Sequence, residues 1–438
     1  MRNGLYLISA ILLLLTGCNG AINQVFTSTT PYEAYIRTLE KAELAETPMV
    51  QAWIAAGQQV FRDSVIVTLP LSEAGYFSAG EPTARAYHFE VKEGQVLSIA
   101  GNSEAEANAR LFLDLFVWRN NEWKQVEHSV AAGDTLFQLS YEFDNDTRGL
   151  LRLQPELMAR VYYTISISPN PALINPVFGA TNRSIGSLYG VDRDGGRRSH
   201  EGVDIFAPRG TPVIAPTNGF ISRVGNNKLG GKVVWMQDQS RGQSYYFAHL
   251  DSQLVQSGKR VLQGDTLGLV GNTGNARTTP PHLHFGIYQR GSKDPINYIR
   301  TLEAATLSPP LDTALMSGAY ELTARQTNLR SGPGNKHLVL EQLPRDTYVK
   351  ILGQSGDWYR VLLPDQKQGY VSKNLVAPVA GGGTAEVQAA APLLSEARPD
   401  AVPVTYFSDT GNVEVLALYG NYSFVRTADG KTGWVQQP

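Results

Sequence analysis

The sequence predicts a mainly β, multidomain chain opened by short N-terminal helices. Three observations carry that expectation. The chain has 438 residues, which at about 150 residues per domain leaves room for two to four domains. It contains 42 glycines and 24 prolines, so turns are frequent and short strands are favoured over long helices. Apolar residues recur at helical spacing only before Ser64, and afterwards alternate with a period of two. Composition sets further bounds. Hydrophobic residues make up 42% and charged residues 18%, the balance of an ordinary globular protein. Thirty-eight basic residues against 40 acidic ones give a net charge of -2. That lacks the basic excess of a nucleic-acid binder, and no nucleic-acid partner is expected. A single cysteine excludes an intramolecular disulfide framework and a multi-cysteine metal site. Any bound metal must rely on histidine and carboxylate.

Residues 1–17 read as a signal peptide: Arg2 precedes an apolar run from Leu5 to Leu15, and small residues follow. The run is well short of the roughly 20 residues that span a bilayer. Leu15-Thr-Gly-Cys18 resembles a bacterial lipobox, which implies that Cys18 is acylated and becomes the mature N-terminus. Two or more acyl chains would anchor the chain stably to a membrane. Asn19 after the cysteine permits the outer membrane, so the expected location is the cell envelope, lipid-anchored and facing the periplasm. No other stretch is long and apolar enough to span.

Residues 18–62 are expected to be helical, with Tyr35, Ile36, Leu39, Leu44, Val50, Trp53 and Ile54 at roughly helical spacing and Pro48 dividing two helices. Residues 63–170 hold strand-like runs such as Ala109-Arg-Leu-Phe-Leu-Asp-Leu-Phe-Val-Trp118 and Val161-Tyr-Tyr-Thr-Ile-Ser-Ile167, which fit a β-sandwich. In pattern this region resembles the pre-peptidase C-terminal-like sandwiches of secreted bacterial peptidases. Residues 171–305 form a Gly-rich domain that contains the chemistry, and 306–317 a Ser-Pro-Pro linker. Two small β-barrels are expected at 318–378 and 398–438, separated by a flexible linker at 379–397 whose Ala/Gly composition sets it apart. The barrels repeat each other: Gly356–Val371 aligns without a gap on Gly420–Val435. With Thr327-Asn-Leu-Arg-Ser-Gly-Pro-Gly334 upstream, the first copy resembles a bacterial SH3-like domain, which implies binding to cell-wall peptide. The second copy lacks an equivalent of that run. Both barrels also admit a reading as spacers, since fold alone does not fix function.

Four of the seven histidines fall between positions 200 and 284. His282 and His284 lie two apart in an alternating run, so on a strand both imidazoles point to one face. His249 ends a second alternating run, Gln243-Ser-Tyr-Tyr-Phe-Ala-His249. His200 and Asp204 are four apart, as on a helix face, but Gly202 and the following Ile-Phe-Ala-Pro-Arg-Gly-Thr-Pro are poor helix material. An extended segment turning into the site is therefore expected, with no base role evident for Glu201.

Ser199-His-Glu-Gly-Val-Asp204, Tyr246-Phe-Ala-His-Leu250, Val261-Leu-Gln-Gly-Asp-Thr-Leu-Gly-Leu-Val-Gly-Asn-Thr-Gly274 and Pro281-His-Leu-His-Phe285 together resemble the lysostaphin-type zinc metallopeptidases, over about 130 residues. The resemblance implies an antiparallel β-sheet peptidase domain at 171–305, one Zn2+ per chain, and peptidoglycan as substrate. It further implies His200, Asp204 and His284 as zinc ligands and His249 and His282 as catalytic histidines. The sequence departs from the family at Thr278-Thr-Pro-Pro281, where a Ser-Thr-Gly-Pro run is more usual; this touches substrate fit and no ligand. Three protein ligands leave a fourth position open, as catalytic zinc requires, and zinc lowers the pKa of bound water to about 7. A histidine can take or return the proton; the division of that work between His249 and His282 stays open. Some relatives that have lost zinc ligands act as activators of cell-wall amidases, which is the alternative function. The complete ligand set here argues for the enzyme.

Overall fold

In the computed structural model, residues 29–437 are described apart from Ser64, Asp194, Ala304, Thr306, Leu307, Pro309, Met316, Ser317, Ala380 and Gly381. The expected signal peptide and Cys18 lie outside the described residues. The chain is mainly β, as expected, and no helix among the described residues is long and apolar enough to cross a membrane.

Two helices, Pro31–Lys41 and Pro48–Gln59, open the described chain. Thr30 and Glu33 form a capping box at the first, and each has proline in its first turn, where the missing N–H costs nothing. Tyr32, Tyr35 and Trp53 pack on Phe112 of the following domain. Trp53 is 1% exposed, and its Nε1 donates to the Pro155 carbonyl at 2.8 Å. The helices are thus an outer layer of the sandwich.

The sandwich places a four-stranded sheet, in the order Arg85–Val91, Thr147–Pro155, Arg110–Arg119 and Glu122–Ala132, against a second sheet. That second sheet contains Leu71–Phe77, Val161–Pro171, Gln95–Ala105 and Thr135–Glu142. Phe77, Tyr87, Leu97, Ile99, Leu113 and Ile165 fill the space between them.

The second sheet does not stop at the sandwich. Its edge strand Leu71–Phe77 pairs with Tyr348–Ser355 of the first small barrel, Ala74 opposite Gln354, and the sheet runs on to eleven strands. A buried polar cluster lies beneath this seam. Glu73 is fully buried and accepts hydrogen bonds from the Tyr87 hydroxyl at 2.6 Å and from the Tyr370 hydroxyl of the barrel. Arg360, also fully buried, sits 3.7 Å from Glu73 and donates to the Ala86 carbonyl.

Of the two expected linkers, 306–317 packs on the sandwich at Ser308 and Leu311 and 379–397 is corrected. In 306–317, Ser308 hydrogen-bonds Ser72 through both its amide and its hydroxyl, and Leu311 packs on Ala74 and Tyr76. Ser308 and Leu311 thus give the sandwich surface a hydroxyl and an apolar group to pair with. In 379–397, Gly383–Val387 and Pro392–Leu394 are strands of the second barrel. The second barrel therefore begins near Gly383, not at 398. Val387 and Leu393 supply its core, which outweighs the linker-like composition around them.

The repeat holds in three dimensions. Gly356 and Gly420 share φ 55°, the left-handed turn conformation that glycine adopts without strain. A Cβ on Gly369 would meet Leu329 and the Arg330 carbonyl, and one on Gly433 would meet Leu393 and the Leu394 carbonyl. Pro392-Leu-Leu-Ser395 thus stands where the first barrel has Asn328-Leu-Arg-Ser331.

The domain at 171–305 is built on an eight-stranded antiparallel sheet. Its path runs Arg260–Val261, Gly219–Asn227, Gly231–Asp238, Gln243–Leu250, His282–Tyr288, Val203–Phe206 and Ile185–Ser187, with Ser292–Lys293 added beside His282–Tyr288. Val203, Ile205, Tyr245, Phe247, Leu283 and Phe285 lie in its core. It meets the sandwich through Arg241, which donates to both oxygens of Glu142 at 2.6 and 2.8 Å, and through Lys293 and Tyr298 on Glu93. Arg241 precedes the Gln243 end of Gln243–Leu250, whereas His249 lies at the opposite end. The junction and the histidines are therefore at opposite ends of the sheet.

Candidate metal centre and active site

Three adjacent strands deliver the histidines. Asp204 pairs directly with His284, and Ala248 with His284 on the other side, so Asp204, His284 and the residue before His249 stand in one row across the sheet. His282 and His284 share a face of their strand, as two-residue spacing requires. His200 enters from the turn before Val203–Phe206, which is extended as the sequence implied. Gly202 lets that turn close: a Cβ there would lie 2.8 Å from His284 Cε1 and 2.4 Å from the Phe285 carbonyl. His249 has φ 63°, a left-handed conformation in which histidine is enriched among non-glycine residues. It swings the ring out of the strand's alternation and beside His282, with ring centroids 5.0 Å apart.

The donor atoms of His200, Asp204 and His284 converge. His200 Nε2 lies 3.0 Å from Asp204 Oδ1 and 2.9 Å from His284 Nδ1, and His284 Nδ1 is 3.0 Å from Asp204 Oδ1. His200 Nδ1 is 2.8 Å from the Leu188 carbonyl. A carbonyl only accepts, so that nitrogen carries the proton and Nε2 of the neutral ring presents a lone pair. Lone pairs facing one another at this range repel unless a cation lies among them, which is the chemistry of a metal centre. Burial disfavours the Asp204 carboxylate, but hydrogen bonds with His200 and His284 outweigh it and hold the carboxyl well below its usual range. Burial lowers His284 in turn. This group could hold a metal ion.

His249 and His282 repeat the tautomer argument. His249 Nδ1 is 2.9 Å from the Thr273 carbonyl and His282 Nδ1 is 2.9 Å from the Pro280 carbonyl. Nδ1 of each ring is thus held by its loop, leaving Nε2 as the nitrogen free to face the site, and His282 Nε2 lies 4.0 Å from Asp204 Oδ1. Burial pushes His249 down to about 4, with His282 and His284 adding to the shift. It is a neutral acceptor at pH 7.

All five residues singled out by the sequence come together. The sequence reading missed Arg193, whose Nη2 donates to Asp204 Oδ2 at 2.6 Å. It lies on a hairpin, Asp192–Arg193 against Arg198–Ser199; the Gly195-Gly196 turn was a signal for that hairpin, but nothing pointed to its contact with Asp204. The carbonyls of Leu188, Thr273 and Pro280 carry no side-chain signature at all. Glu201 is exposed and accepts a hydrogen bond from the Tyr288 hydroxyl at 3.4 Å.

Residues 198–297 match the model of peptidase family M23, and residues 325–377 match that of the bacterial SH3 domain. The L-Ala--D-Glu endopeptidase of Bacillus subtilis is 36% identical over 136 residues, 28% of this chain and 41% of that protein. The peptidoglycan DD-endopeptidase ShyC of Vibrio cholerae is 33% identical over 127 residues, 29% of this chain and 25% of that protein. The chain thus spans less than half the length of these curated relatives. The catalytic domain of lysostaphin from Staphylococcus simulans is matched at 31% identity and a TM-score of 0.24, over 26% of this chain and 89% of that one. With its converging histidines and carboxylate inside the matched segment, the chain carries a peptidase family M23 domain followed by a bacterial SH3 domain.

Proposed function

We propose that the chain is a zinc-dependent endopeptidase that hydrolyses peptide bonds of bacterial peptidoglycan. The convergence of His200, Asp204 and His284 beside two further imidazoles carries this reading. Zinc suits the donor set. A tetrahedral ion with bonds of about 2.0–2.1 Å spaces its ligand atoms about 3.3 Å apart, close to the 2.9–3.0 Å separations found here. His200, Asp204 and His284 would hold the ion, and a bound zinc supplies Lewis acidity for water activation and carbonyl polarisation.

The chain's own groups supply the rest. Nε2 of His249 and Nε2 of His282 are the atoms that take a proton from the attacking water and return it to the leaving amine. The Thr273 and Pro280 carbonyls fix which nitrogen of each ring does this. Partial burial of the imidazoles strengthens their interaction with charge that develops during the reaction. Acylation at Cys18 would tether the enzyme to the outer membrane, facing the wall from the periplasm, and the first SH3 domain would contact wall peptide.

The test is mass spectrometry of fragments released from purified peptidoglycan by the soluble chain starting after Cys18. New peptide termini that vanish with a chelator and with His284→Ala or Asp204→Ala support the proposal. Unchanged hydrolysis in either folded variant overturns the zinc assignment.

A further inference from the structure

The structure assigns Arg193 a positioning role at Asp204, an inference that rests on Asp204 being a metal ligand. The two carboxylate oxygens have different neighbours. Oδ1 faces His200 Nε2 and His284 Nδ1 at 3.0 Å each. Oδ2 receives Arg193 Nη2 at 2.6 Å, and the same nitrogen donates to Ser187 Oγ at 2.8 Å. Ser187 is the register partner of Asp204 on the neighbouring strand, so backbone pairing fixes the height at which Nη2 is held.

A carboxylate with both oxygens free can close on a cation through one or both. The charge-assisted bond from Arg193 occupies Oδ2 and leaves a single oxygen for the ion. That conserves coordination positions for water and substrate, which a catalytic site needs open. The same hairpin carries both ends of the device. Arg193 pairs with Arg198, and His200 follows two residues later, its amide bonded to the Val191 carbonyl at 2.9 Å. One small hairpin thus delivers one ligand and constrains another.

The experiment uses the full mature chain, stripped of metal and titrated with Zn2+ and separately with Co2+, with fold checked by circular dichroism. Wild type should bind one zinc, and His284→Ala should lose it. Arg193→Gln should bind zinc about 10–100-fold more weakly, the usual cost of removing a group that orients a ligand. Its cobalt form should absorb more weakly in the visible, as the freed oxygen raises the coordination number. Arg193→Lys should recover most of both, because one ammonium can donate to Oδ2 and to Ser187 together. Wild-type zinc affinity and cobalt spectrum in Arg193→Gln overturn the inference while leaving the metal site standing. Should Arg193→Gln not fold, Ser187→Ala replaces it; a several-fold loss in affinity with the same spectral change supports the role, and no change overturns it. A wild-type chain that binds no zinc dependent on His284 removes the metal reading and this inference with it.

Discussion

Glu73→Gln should loosen the seam between the sandwich and the first barrel. Glu73 is fully buried, accepts from the Tyr87 and Tyr370 hydroxyls, and lies 3.7 Å from a fully buried Arg360. Glutamine keeps the shape, but its amide nitrogen cannot accept from a tyrosine hydroxyl, and Arg360 loses one of its two neighbouring carboxylates. Asp63, the other acid near Arg360, is 3.6 Å away. Breaking a buried pair by removing one partner costs about 3–5 kcal/mol, which is about 6–20 °C in the melting of a unit of 150–250 residues. Differential scanning calorimetry reads the shift, and limited proteolysis shows whether the barrel is released. Glu341→Gln, which removes an exposed partner of Lys367, is the control and should change stability by under about 1 kcal/mol. A Glu73→Gln transition that moves no further than this control refutes the argument. The double variant Glu73→Gln, Arg360→Met should regain part of the loss, because an apolar side chain leaves no buried charge unpaired.

Other outcomes follow from the same contacts. Gly202→Ala should push His284 aside, given the 2.8 Å clearance, and lower zinc retention by about tenfold or more in a competition assay; retention equal to wild type would show that the turn adapts. Burial depresses His88, whose Nε2 donates to the Val60 carbonyl. The unfolded chain then binds the proton more readily, so stability is full above about 6.5 and falls as pH drops through that value toward the folded pKa. Urea midpoints at pH 7.5 and 5.5 should differ more in wild type than in His88→Gln, and equal slopes would refute this. Trp53→Ala removes a side chain 1% exposed and should cost about 3–5 kcal/mol, with the first two helices becoming protease-sensitive while metal binding is unchanged.

The sequence was most informative where side-chain chemistry and strand periodicity coincide. His282 and His284 could be placed because a period of two fixes which residues share a face, and the extended turn through His200 and Asp204 because Gly202 and the residues after Asp204 are poor helix material. His249 was found from its position at a strand end, although its left-handed backbone was not evident. What escaped depends on long-range pairing or on the backbone. The Ala/Gly-rich stretch after residue 379 looked like a linker, yet the apolar positions Val387, Leu393 and Leu394 are enough to build strands once a barrel receives them. Leu71–Phe77 carries no sign that its partner is Tyr348–Ser355, since edge pairing is made by amides and carbonyls that every residue has. Arg193 sits among several arginines, and only the fold singles it out.

The shared sheet has a consequence for vectorial assembly. Tyr370 lies 297 positions after Glu73, with the whole peptidase domain between them. As the chain emerges from N-terminus to C-terminus, Leu71–Phe77 has Val161–Pro171 on one side early but waits for the barrel on the other. Through that interval it presents an unpaired edge, the kind of surface on which chains join one another. The first barrel therefore also covers part of an edge of the sandwich sheet, at Ala74 and Gly75. Any truncation after the peptidase domain leaves that edge permanently open, so its failure to stay monomeric would reflect a missing strand and not a faulty catalytic fold.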